Sequence, residues 1–116
     1  MIPGLSTPLH PLLDRLLVHA HELGASDLHL VAGVPAAFRV TGEIILADAD
    51  VLAPDDCNAM ASSLLSELQQ HKFDRDWELC ISVRHEVAGR VRVTFYKRNG
   101  VAELSCRFCG SRIPSR

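Results

Sequence analysis

From Arg90 to Phe108, polar and apolar side chains take turns on either side of a single Asn99-Gly100. Successive side chains of a strand point to opposite faces. Arg90, Arg92, Thr94, Tyr96 and Arg98 therefore fall on one face, and Val91, Val93 and Phe95 on the other. Beyond the turn, Glu103, Ser105 and Arg107 alternate with Ala102, Leu104, Cys106 and Phe108. Asn-Gly suits a two-residue hairpin turn, so the segment predicts two paired strands whose polar sides merge into one surface. A chain with such a hairpin needs an apolar layer to cover its other face.

The rest of the sequence supplies that layer. Leu9, Leu12, Leu13, Leu16, Leu17, Ala20 and Leu23 recur at helical spacing, which predicts a helix from about Pro8 or Pro11 to Leu23, with Gly24 as its left-handed C-terminal stop. Leu28, Leu30 and Ala32 then alternate with Asp27, His29 and Val31 as a strand, and two short strands follow, turning at Thr41-Gly42. Pro54, Asp55 and Asp56 announce a second helix, whose apolar face is Cys57, Met60, Ala61, Leu64, Leu65 and Leu68. "QQHKFDRDW" has no period, and "ELCISVRHE" reads as one more strand before the hairpin. Helix, three short strands, helix, three strands is an α+β order, with an antiparallel sheet and helices packed on it. At 116 residues and 47% hydrophobic content, residues 1–116 form a single domain with one core.

A formal charge of −2 gives no global attraction to nucleic acid or anionic lipid, so the placement of each arginine matters more than the total. Arginines on a rigid sheet suit phosphate oxygens, which their planar forks meet bidentately. The same alternation also fits solvated outer positions balanced by Asp74, Asp76 and Glu78. Single-stranded nucleic acid would need aromatic platforms beside the arginines, and only Tyr96 is on that side, so no nucleic acid partner is expected. The C-x2-C spacing of Cys106 and Cys109 lacks a second close pair and puts Cys106 toward the core, so no metal is expected either. Cys57, Cys80, Cys106 and Cys109 read as small core residues rather than a disulfide framework. His29 beside Asp27 is a polar pair on one strand face, and no H-E-x-x-H pattern occurs. There is no P-loop, and the only lysines are Lys72 and Lys97, so this chain alone cannot hold and cleave a nucleoside triphosphate in that manner. No apolar run approaches the roughly 20 residues of a membrane span, and the opening residues lack the basic start of a signal peptide, which predicts a cytoplasmic protein.

A longer pattern joins these elements. A helix ending at Gly24 is followed by Ala25-Ser26-Asp27-Leu28-His29-Leu30, then Gly33-x-Pro35, then Arg39-x-x-Gly42; "LAPDD", "KF", "WEL", "GRVRV" and "IPS" continue it. From about Leu13 to Ser115 the chain resembles the amino-terminal domain of PilT-like pilus-retraction ATPases, within the type II/type IV secretion ATPase superfamily. The resemblance implies a PAS-like domain that normally precedes a RecA-like motor on the same chain, the motor lying outside the 116 residues here. It implies six chains in a ring, each amino domain packing against a neighbour's motor, with ATP and Mg held by the motor and none by this domain alone. By the same resemblance Arg90, Arg92 and Arg107 face the nucleotide phosphates, and Arg98 stands one residue away from a further family arginine. Asp27, His29 and Arg39 are implied in contacts within the ring, and the pilus or secretion machinery at the inner membrane is the implied partner. From the residues alone, a stand-alone PAS-like module binding a small ligand or a protein is the other reading, and it predicts an enclosed apolar cavity.

Overall fold

The computed structural model describes residues 9–109, which leaves the Ile113-Pro114-Ser115 match and Pro8 outside the described residues. The chain order is α1 (Pro11–Leu23), β1 (Asp27–Leu30), β2 (Ala37–Val40), β3 (Glu43–Leu46), α2 (Pro54–Leu64), α3 (Glu67–Asp76), β4 (Glu78–His85), β5 (Gly89–Arg98) and β6 (Val101–Phe108). The six strands form one antiparallel sheet in the order β3-β2-β1-β6-β5-β4. The first and last strands thus meet at its centre, and this pairing sets the site described below. No helix among the described residues is long and apolar enough to cross a membrane.

Local chemistry fixes α1 as the periodicity predicts. Pro11 fills the first turn, where its missing N–H costs nothing, and the Leu12 N–H donates to His10 Nδ1 at 3.1 Å. Gly24 closes the helix at φ 71°, in the left-handed region that glycine enters without penalty. Leu13, Leu17 and Ala20 are buried against Leu28, Leu30 and Phe38 in one core cluster, which also takes Cys57, Met60 and Ala61 from α2 and Val91, Val93, Phe95, Ala102, Leu104 and Cys106 from the hairpin. All three helices contribute to this cluster, so they cover one face of the sheet. Its other face, called outer here, carries the polar set that alternation predicts.

The two hairpin turns also form as expected. Thr41 and Gly42 have φ 47° and 85°, and Asn99 and Gly100 have 54° and 80°, the doubly positive pattern whose twist matches paired strands. A side-chain contact anchors α1 to the β4–β5 turn. His85 Nδ1 accepts the N–H groups of Val87 and Ala88 at 3.0 Å each, which leaves the ring proton on Nε2 to donate to Asp14 Oδ1 at 2.7 Å.

The second helix departs from expectation. It does not reach Leu68: α2 stops at Leu64, Leu65 turns extended, and a separate helix, α3, begins at Glu67. The cause is a capping box, in which Gln69 N–H donates to Ser66 Oγ at 3.2 Å and Ser66 N–H donates to Gln69 Oε1 at 2.8 Å. Leu68 is left 67% exposed rather than on the buried face. α3 runs through the stretch read as unstructured because it buries one side chain, Phe73, and so has no apolar period to detect. That single contact is well built, with the Phe73 ring 5.8 Å from Phe95 and Lys97 Nζ 5.0 Å above it. The cysteines also depart from expectation. Cys57 and Cys106 are buried, but Cys80 is exposed and Cys109 lies half-buried just past β6. Cys80 alternates with Leu79 and Ile81 and pairs with Thr94, so the pleat puts it on the outer face.

Candidate functional site

The outer face is ordered in cross-strand rows. Along one row, Arg39 on β2 is opposite Asp27 on β1, Asp27 opposite Arg107 on β6, and Arg107 opposite Arg92 on β5. In the next row His29 is opposite Ser105, and Ser105 opposite Thr94. These seven side chains line a cleft of about 300 Å³. Of the four arginines expected to face phosphate, Arg92 and Arg107 are in the cleft. Arg90 lies on the same face but toward its end, opposite Arg84 on β4. Arg98 lies toward the other end, its Nε 3.2 Å from Glu103 Oε2. Asp27, His29 and Arg39, which the sequence reading keeps apart from the phosphate-facing set, line the same cleft.

The charges are unevenly matched. Asp27 is buried, its Oδ1 accepting from Arg107 Nε at 3.2 Å and its Oδ2 from Ser26 Oγ at 2.8 Å. Arg39 Nε is 3.9 Å from Oδ2, and Arg39 Nη1 donates to the Gly42 carbonyl at 3.3 Å. Among the described residues no carboxylate comes within ion-pair distance of Arg84, Arg90 or Arg92. Like charges directly across a strand pair repel, and this sheet has two such pairs, Arg92 with Arg107 and Arg84 with Arg90. An anion between them would relieve that repulsion. Ser105 Oγ lies 3.4 Å from His29 Nδ1 and Thr94 Oγ1 donates to Cys80 Sγ at 3.6 Å; both hydroxyls line the cleft, where rotation about the C–O bond can turn them toward a ligand. Sequence alternation puts Thr94 and Ser105 on the polar face but does not single them out as site residues. Their alternation with buried neighbours, beside an arginine on each strand, was the available signal.

Burial alone would raise the pKa of Asp27. The hydrogen bonds from Ser26 and Arg107, together with the charges of Arg107 and His29, outweigh it and hold the carboxyl below its ordinary 3.8. The folded state then binds this proton less readily than the unfolded chain does. Its contribution to stability is complete above the unfolded value and is lost as pH falls through the folded one. Asp27→Asn should therefore lose less stability than the parent chain between about pH 5 and pH 2, as followed by thermal unfolding. Superimposable acid profiles would contradict the assignment. Elsewhere no three His, Cys, Asp or Glu side chains converge as a metal site among the described residues, and burial pushes the Cys106 thiol up to about 12.

Fold and face together define a PAS-like α+β domain: helices cover one side of an antiparallel sheet, and a cation-rich cleft opens on the other. No protein-family model matches the chain. It is 31% identical to the type IV pilus ATPase PilU of Pseudomonas aeruginosa, over 88% of this chain and 27% of the relative. It is 28% identical to the type IV pilus retraction ATPase PilT of the same organism, over 87% of this chain and 29% of the relative. The crystal structure of the pilus retraction motor PilT with bound ADP superposes with a TM-score of 0.80 at 29% identity, covering 88% of this chain and 30% of that one. The chain is related to the amino-terminal domain of PilT-like secretion ATPases, and it spans less than a third of the length of each of these proteins.

Proposed function

We propose that this chain is the assembly and regulatory domain of a hexameric PilT-like ATPase that drives type IV pilus retraction, and so twitching motility, or a related secretion step in the cytoplasm at the inner membrane. Its outer face packs against a RecA-like motor of its own or a neighbouring subunit and presents arginines to the ATP that the motor holds with Mg. The observation that carries this reading is the opposition of Arg92 and Arg107 on adjacent central strands, with no carboxylate within ion-pair distance of Arg92 among the described residues. Guanidinium groups fixed on a sheet need little reorganisation to meet charge developing on a γ-phosphate, which is the condition for electrostatic stabilisation of phosphoryl transfer. Arg90 and Arg98 extend the positive field toward either end of the face. Ile44 and Leu46, 49% and 56% exposed, share this face through their pairing with Arg39 and Ala37, and they offer an apolar margin to a protein partner. Movement of the domain as a rigid body would then couple to nucleotide state.

The reading is tested by ATP turnover in the protein that carries this domain together with its motor. Replacing Arg92 or Arg107 by Ala should slow turnover and leave the domain folded. Unchanged turnover in both variants would remove these arginines from the mechanism and leave a binding module that works without a motor.

A further inference from the structure

Asp27 is placed oddly for a residue that only balances charge. It is a nearly buried carboxylate at the centre of a site that otherwise collects cations, and both neighbouring arginines turn their Nε toward it. Arg107 Nε donates to Oδ1 at 3.2 Å, and Arg39 Nε stands at ion-pair distance, 3.9 Å, from Oδ2. Nε is the nitrogen nearest the backbone, so the Arg107 guanidinium, hydrogen-bonded there, loses freedom about its last bonds while its terminal nitrogens stay available; the Asp27 charge and the Gly42 carbonyl together orient Arg39. Among the described residues the terminal nitrogens of Arg107 make no hydrogen bond, and those of Arg39 make one, to the Gly42 carbonyl. Arg92 reaches the same cleft from directly across Arg107.

We infer that Asp27 is the positioning residue of a three-arginine clamp, Arg39, Arg107 and Arg92, that binds a terminal phosphate group of a polyphosphate anion in the cleft. This rests on the reading that phosphates meet the outer face, and it adds Arg39 and Asp27 to the residues that receive them. Three guanidinium groups and one carboxylate leave a surplus of two positive charges, which suits a phosphate carrying two negative ones. The Thr94 and Ser105 hydroxyls supply further donors on the cleft wall. The depressed pKa of Asp27 agrees with a carboxylate that stays ionised beside these cations.

Coulomb attraction alone says that neutralising an acid inside a cationic cleft tightens anion binding. If Asp27 instead orients the clamp, its loss weakens binding. The experiment titrates inorganic pyrophosphate into the 116-residue chain by calorimetry, while the side-chain ¹⁵N–H signal of Arg107 Nε is followed by NMR. The parent chain should bind, with the Nε signal held in slow exchange with water and shifting on saturation. Asp27→Asn should weaken binding about fivefold and abolish the distinct Nε signal, and Arg39→Gln, a change at a half-exposed site that leaves the core intact, should weaken it about tenfold. Tighter or unchanged binding by Asp27→Asn, or unchanged binding by Arg39→Gln, would overturn the clamp. Absence of binding by the parent chain would overturn it too, while leaving the motor-dependent role of Arg92 and Arg107 to stand or fall on ATP turnover.

Discussion

The Arg92→Ala, Arg107→Ala double variant of the motor-bearing protein is expected to hydrolyse ATP about a hundredfold more slowly than its parent, with the loss falling mainly on kcat. Removing one preorganised donor from a developing oxyanion costs on the order of 10² to 10³ in rate, and an arginine supplied to a transferring phosphoryl group is worth at least as much. The lower figure applies here because the P-loop of the motor keeps its own contacts. Stability should fall modestly and the domain should stay folded. Both side chains project from the outer face and neither packs in the core; losing Arg107 strips the buried Asp27 of its hydrogen-bonded cation, and relief of the like-charge opposition with Arg92 offsets part of that cost. A drop in turnover accompanied by a collapse of the thermal midpoint would point to misfolding and not to lost phosphate contacts.

Phe95→Ala is expected to have the largest effect on folding. Phe95 is fully buried and is the sheet's ring contact with Phe73, the one buried residue of α3. Truncating a buried phenylalanine costs about 3–5 kcal/mol, from lost transfer energy and from the cavity left behind. Domains of this size hold only about 5–15 kcal/mol in total. The variant should unfold at a midpoint lower by about 15 °C or more, and α3 should lose protection from hydrogen exchange first. A loss under about 1 kcal/mol would mean that Phe73 and Phe95 do not tie α3 to the sheet as the structure has it.

The two outcomes separate what sequence could show from what it could not. The β5–β6 hairpin was legible because Asn99-Gly100 sets the register and strict alternation sets the faces, so the arginines could be assigned to one surface before any strand order was known. Helix α1 was legible for the parallel reason, a clean 3.6-residue period closed by Gly24. Alternation says which face a side chain takes but not which strand lies beside it. The cleft depends on β1 pairing with β6, and no local pattern in the sequence joins Asp27 to Arg107. Residues that the sequence sorts into a phosphate-facing set and an inter-domain set are therefore brought to one cleft only by the strand order, and Arg98, of the phosphate-facing set, lies outside that cleft beside Glu103. Helix α3 could have been found, since Ser66 and Gln69 have the spacing of a capping box, but a helix burying one residue gives no period to confirm it.

Arginine-directed labelling of the motor-bearing protein, read by mass spectrometry with and without a non-hydrolysable ATP analogue, tests the central claim most directly. Arg92 and Arg107 should be protected when the analogue is bound, while Arg15, exposed on α1 away from the outer face, should label equally in both states. Equal labelling of Arg92 and Arg107 with and without nucleotide would contradict the account.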